Sequence, residues 1–77
     1  MMPQVSDYRV YVEPLAASLG GGFVSYAPEL EGCLADGDTP DQALTAIYDA
    51  IGCWIEAAVE AGRPIPAPAN PPRRIYA

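Results

Sequence analysis

The run Thr39-Pro40-Asp41-Gln42-Ala43-Leu44-Thr45-Ala46-Ile47-Tyr48, continuing through Ile51, Trp54-Ile55-Glu56 and Ala58 to Gly62-Arg63-Pro64, decides the fold. Thr39 suits an N-cap, whose side-chain oxygen accepts an amide that the first helical turn cannot satisfy. Pro40 fits the first helical position, and Gln42 is placed to reach back as in a capping box. Asp41 in the first turn complements the helix dipole. Leu44, Ile47, Ile51, Ile55 and Ala58 recur at spacings of three and four, so they share one stripe, with Tyr48 and Trp54 beside it. Gly62 supplies a stop and Pro64 forbids continuation. A single long amphipathic helix is therefore expected, and its stripe needs a partner layer.

The residues before the helix supply that layer. Tyr8 to Leu15 reads as a strand, with Tyr8, Val10 and Val12 on one face and Arg9, Tyr11 and Glu13 on the other. Pro14 lacks an amide donor, which places it at a strand end or an edge. Ala16 to Gly22 closes in three glycines, free to adopt the positive dihedrals of a hairpin loop. Phe23 to Ala27 is a second strand. Pro28-Glu29-Leu30-Glu31-Gly32 is turn chemistry, and Cys33 to Asp36 is a short third strand. Strands this close in sequence pair antiparallel, because a parallel crossover needs a dozen or more residues.

The expected architecture is thus α+β: a three-stranded antiparallel meander with one long helix packed on one face. Residues 64–72 hold five prolines and should be extended. Arg73 to Ala77 fits a short fourth edge strand, giving β-β-β-α-β, and fits a frayed tail equally well. The 77 residues leave room for a single domain, and one this small gains stability by pairing with a copy or a partner. In this arrangement Arg9, Tyr11 and Glu13, or their alternates, lie on a sheet face that the helix does not cover. An open face carrying aromatics invites association.

The formal charge is −6, from ten acids against four Arg, with no His and no Lys. Such a balance repels phosphate backbones, so direct nucleic-acid binding is not expected, whereas a basic protein partner would be attracted. Missing His removes the commonest general base and metal ligand, and missing Lys removes Schiff-base chemistry. Asp36, Asp38 and Asp41 could in principle bind a divalent cation, but acids and glycine at a helix entry are ordinarily turn and capping residues. Gly20-Gly21-Gly22 lacks the Lys-Ser/Thr and the following helix of a phosphate-binding loop. Cys33 reads as a small core residue, and Cys53 as an exposed thiol among carboxylates that disfavour its thiolate. No catalytic residue, metal site or cofactor is expected. The start of the chain shows no secretory signal, and no apolar run approaches a membrane span, so a cytoplasmic protein with reduced thiols is the simplest reading.

Asp49, Glu56 and Glu60 point the same way on the predicted helix, with no Lys or Arg before Gly62 to pair with them. A solvated face is the bland reading. The same residues, together with Tyr11 and Glu13, are the candidate contacts for a basic partner.

Read in order, Gly21-Gly22-Phe23-Val24-Ser25-Tyr26-Ala27-Pro28-Glu29-Leu30-Glu31-Gly32-Cys33 and Gly37-Asp38-Thr39-Pro40-Asp41-Gln42-Ala43-Leu44 resemble the HicB-like antitoxin family. Trp54-Ile55-Glu56-Ala57 and Gly62-Arg63-Pro64-Ile65-Pro66 extend the likeness, which covers roughly residues 8 to 68. The resemblance implies a partial ribonuclease H-like fold without catalysis. It also implies a role in neutralising a HicA-type toxin, a small basic protein that cuts messenger RNA. Many relatives add a C-terminal DNA-binding domain. These residues contain no helix-turn-helix or ribbon-helix-helix pattern, so the expectation narrows to the partner-binding half of that role. Two alternatives stand beside it: a homo-oligomeric regulatory module without a toxin, and a metal-assisted carboxylate hydrolase.

Overall fold

The computed structural model describes residues 4–68. Its helix, α1, spans Pro40–Glu60, as the sequence spacing predicts. Thr39 is extended, and its Oγ1 accepts the Gln42 amide at 3.1 Å. Gln42 does reach back, but to the Asp38 amide at 2.9 Å, one residue earlier than a standard capping box. At the other end Gly62 takes a φ of 68°. Its amide donates to the Val59 carbonyl, and the Arg63 amide donates to Ala58 at 2.8 Å. This pair of bonds across a left-handed glycine satisfies carbonyls that the helix itself leaves unpaired.

Three strands form one antiparallel sheet in the order β1-β2-β3: β1 Tyr11–Pro14, β2 Phe23–Tyr26 and β3 Leu34–Gly37. Tyr11 faces Tyr26, which faces Leu34; Val12 faces Ser25, which faces Ala35. The first strand is shorter than the alternation suggests, because Val5–Asp7 forms a 3-10 turn and ladder pairing begins at Tyr11. The alternation itself persists: Tyr8 is buried, Val10 and Val12 are half-buried, and Arg9, Tyr11 and Glu13 are exposed. Between β1 and β2, a 3-10 turn at Ala17–Leu19 runs into Gly20, Gly21 and Gly22, all at positive φ. The Leu15 amide closes the hairpin on the Gly22 carbonyl at 2.9 Å.

The helix covers one sheet face. Ala43, Ile47, Ile51, Ile55 and Ala58 are buried on α1, and the three isoleucines form one core cluster with Tyr8, Ala27, Leu30 and Cys33. Each fully buried isoleucine contributes about 1.5–3 kcal/mol. Leu44, expected in this stripe, is instead 36% exposed, and Ala43 takes its place at 0%. The first turn of α1 lies too close to β3 for a leucine: a Cβ placed on Gly37 would stand 2.5 Å from the Ala43 nitrogen. In the same crevice Ser25, buried at 0%, donates its hydroxyl to the Ala43 carbonyl at 2.8 Å.

After the helix, residues 63–68 form neither helix nor strand. The Tyr8 hydroxyl donates to the Pro66 carbonyl at 2.6 Å, tying this segment back to the sheet layer. The rest of the proline-rich stretch and the expected fourth edge strand at 73–77 lie outside the described residues. Among the described residues, no helix is long and apolar enough to cross a membrane.

Candidate partner-binding surface

Side chains alternate across a sheet, so the register assigns the face that α1 leaves open. Val12, Ser25 and Ala35 turn toward the helix. The neighbouring row, Tyr11, Tyr26 and Leu34, therefore turns outward, as does the row Glu13, Val24 and Asp36. Tyr11 is 40% exposed and Leu34 64% exposed. The Tyr11 and Tyr26 rings lie 5.3 Å apart and tilted by 37°, a favourable aromatic contact. The Tyr26 hydroxyl donates to a Glu13 carboxylate oxygen. That hydrogen bond, ahead of desolvation and nearby negative charge, holds the Tyr26 pKa above the usual 10.0.

A second surface lies on the far side of α1. Asp49, Glu56 and Glu60 are exposed there beside Cys53, and Pro40–Glu60 contains no basic residue. Asp41, Gln42, Thr45, Ala46 and Asp49 line a shallow open depression near its start. The five candidate contact residues thus separate into two sets. Tyr11 and Glu13 share the open sheet face, and Asp49, Glu56 and Glu60 share the outer helix face, with the core between them. Thr39 and Gln42 are helix-capping residues, as their positions suggest. Tyr26, Leu34, Val24 and Asp36 complete the sheet face; the sequence pattern did not assign them to it, because strand register was not legible.

The turn motif between β2 and β3 has a packing explanation. Ala27, Leu30 and Cys33 enter the core at 1%, 1% and 4% exposure. Leu30 donates its amide to Ala27 and accepts from the Cys33 amide, both at 3.0 Å, and Gly32 takes a φ of 78°. The two glutamates of the motif join this turn to its neighbours. A Glu29 carboxylate oxygen accepts the Arg9 amide, and the Glu31 carbonyl accepts the Trp54 indole N–H, each at 3.0 Å. Burial also raises the Cys33 thiol above its usual 9.0, which makes it a poor nucleophile. Asp36 and Asp38 are exposed at the β3–α1 junction. Among the described residues, no cluster of three or more His, Cys, Asp or Glu could hold a metal ion.

Residues 8–73 match the model of the HicB-like antitoxins of bacterial toxin-antitoxin systems. The chain belongs to this HicB-like antitoxin family. It is 35% identical over 63 residues to the UPF0150 protein ssr1765 of Synechocystis sp., covering 82% of this chain and 76% of that protein. A second Synechocystis relative, the UPF0150 protein ssl0259, is 33% identical over 61 residues, covering 79% and 80% respectively. No solved structure matches. The HicB-like match embraces all three strands, the helix and both exposed surfaces. Membership supports an antitoxin role, and hence a toxin partner, rather than catalysis by this chain.

Proposed function

We propose that this chain is an antitoxin module that binds a small basic HicA-type toxin in the cytoplasm and covers its messenger-RNA-cutting site. The observation that carries this reading is a family fold whose outer helix face is acidic without internal compensation. The net charge is −6, and the outer helix face holds Asp49, Glu56 and Glu60 with no cation on the helix. Uncompensated charge of one sign accelerates encounter with a partner of the opposite sign. The module itself contributes no chemistry to the reaction. It lacks His and Lys, and its buried thiol is held protonated.

Co-expression with the product of the neighbouring reading frame tests the proposal, which requires that frame to encode a small basic protein. The expected result is a co-purifying complex and relief of the growth arrest that the toxin alone imposes. A toxin that neither co-purifies nor is neutralised removes the reading. One observation favours a second reading, a self-associating regulatory module: Leu34 is 64% exposed on an uncovered sheet face. Light scattering on the isolated chain separates the two, since only the second requires an oligomer that ignores the basic partner.

A further inference from the structure

We propose that the open face of the sheet, and not the acidic helix, is the surface that grips the basic partner. Tyr11, Tyr26 and Leu34 form its apolar anchor, and Glu13 and Asp36 its acidic border. The inference rests on the antitoxin reading and specifies the site through which it operates.

Charge alone rarely holds a complex together. Exposed ion pairs contribute little, while binding energy concentrates in a few buried aromatic and apolar anchors. The outer helix face has charge and no such anchor. Its row is Gln42, Asp49, Cys53, Glu56 and Glu60. The exposed apolar residues of α1, Leu44 and Val59, flank this row at opposite ends, about 22 Å apart at 1.5 Å per residue. They cannot form one patch.

The sheet face has what the helix lacks. Tyr11, Tyr26 and Leu34 are directly opposed across three strands, at the roughly 4.8 Å spacing of adjacent strands. Val24 extends the patch in the next outward row. Tyrosines already in ring contact lose little conformational freedom on binding, which makes them effective anchors. Tyr11 and Leu34 are exposed in this row, and Tyr26 between them is half-buried.

The charges on the same face select the occupant. Glu13 on β1 and Asp36 on β3 flank Val24, so the row next to the apolar anchor carries an acid on each edge strand, against one exposed cation, Arg9, two residues before Tyr11. A second copy laid on this face would bring like charges together, between two chains that each carry −6. A protein presenting Arg or Lys around an apolar centre would neutralise both borders. The Tyr26 hydroxyl fixes the Glu13 carboxylate in orientation, and a carboxylate retains further acceptor sites for such a cation. The helix acids then act at longer range: they speed the encounter and are screened by salt.

Binding of the HicA-type toxin that co-expression identifies, made as a variant unable to cut RNA, tests this by surface plasmon resonance. Three variants are compared: Tyr11→Ser with Leu34→Ser, Glu13→Gln with Asp36→Asn, and Asp49→Asn with Glu56→Gln and Glu60→Gln. All positions are exposed, and far-ultraviolet circular dichroism verifies folding; Leu34→Asp alone serves if the first double variant is unstable. The expected result is at least about tenfold weaker affinity, through faster dissociation, for the Tyr11/Leu34 variant. The Glu13/Asp36 variant should weaken several-fold. The helix variant should lose only association rate, by a few-fold, and the loss should fade by about 0.5 M salt. A helix variant that loses tenfold while the Tyr11/Leu34 variant stays within twofold overturns the inference and leaves the antitoxin reading standing. An unmodified chain that does not bind the toxin overturns both. A chain that dimerises alone, is dispersed by Leu34→Ser and keeps its toxin affinity assigns the face to a second copy and also overturns the inference.

Discussion

Gly37 and Ala43 meet backbone to backbone, so closely that a Cβ on Gly37 would stand 2.5 Å from the Ala43 nitrogen and 2.8 Å from the Gln42 Cβ. This approach seats the first turn of α1 on β3. It also explains why a small residue takes the buried position there and why the Ser25 hydroxyl can reach the Ala43 carbonyl. Replacing Gly37 with Ala must push helix and strand apart, an overpacking cost of about 1–3 kcal/mol. Gly62→Ala meets nothing within 4 Å and carries only the strain of a left-handed φ, about 1 kcal/mol. Urea unfolding should rank Gly37→Ala well below Gly62→Ala in midpoint, at similar slope; the reverse order would contradict the close packing.

Thr39→Ala should lower stability by about 1 kcal/mol, because it leaves the Gln42 amide without its cap. Thr39→Ser preserves the accepting oxygen and should stay within a few tenths. Gln42→Ala removes only the exposed bond to the Asp38 amide and should cost less than Thr39→Ala. Thermal melts of the three variants check the order.

The helix was legible because its signals are local. Thr39-Pro40 and Gly62 mark its ends through side-chain and dihedral chemistry that depends on neighbouring residues alone. The meander was legible from strand spacing. Leu44 was misplaced because hydrophobic periodicity weighs side-chain size, whereas the space beneath the first turn is set by Gly37, which belongs to another element. The separation of Tyr11 and Glu13 from Asp49, Glu56 and Glu60 is likewise a tertiary fact: each set was visible within its own element, and only packing puts the core between them. The Tyr8–Pro66 bond joins residues 58 apart, and no local pattern announces it.

The two cysteines should report folding separately. Cys53 is exposed and Cys33 is 4% exposed. A thiol reagent at pH 8 should label Cys53 quickly and Cys33 only on unfolding; equal rates in the folded chain would contradict the burial. The same burial predicts an alkaline limit. Cys33 is raised above 9.0 by desolvation, and Tyr8 above 10.0 by desolvation first and then by Glu29 and Asp7. Both groups stay protonated in the folded chain at pH values where the unfolded chain has begun to lose those protons. The unfolded state then binds fewer protons, so stability falls as pH rises. Denaturation midpoints should hold steady below about pH 8.5 and decline from about pH 9 upward. Cys33→Ala should remove the earlier part of that decline.

Glu56 and Glu60 stand one helical turn apart with like charge, in the last turns of a helix whose carbonyl end favours cations. Glu60→Lys should therefore stabilise the free chain, by turning a repulsive pair into an attractive one and placing a positive charge near the C-terminus. The combined gain is about 0.5–1 kcal/mol at low salt. For a basic partner the same change removes two units of attraction, so the association rate should fall several-fold in low salt and recover as salt is added. The dissociation rate should not move, because the gripping contacts lie on the other side of the core. Paired measurements of melting temperature and binding kinetics decide the matter. A variant that is more stable and yet associates more slowly with the toxin shows that the acidic helix face is kept for encounter at the expense of stability. A variant that loses stability contradicts the electrostatic reading of this face, and one that dissociates faster places a gripping contact on the helix.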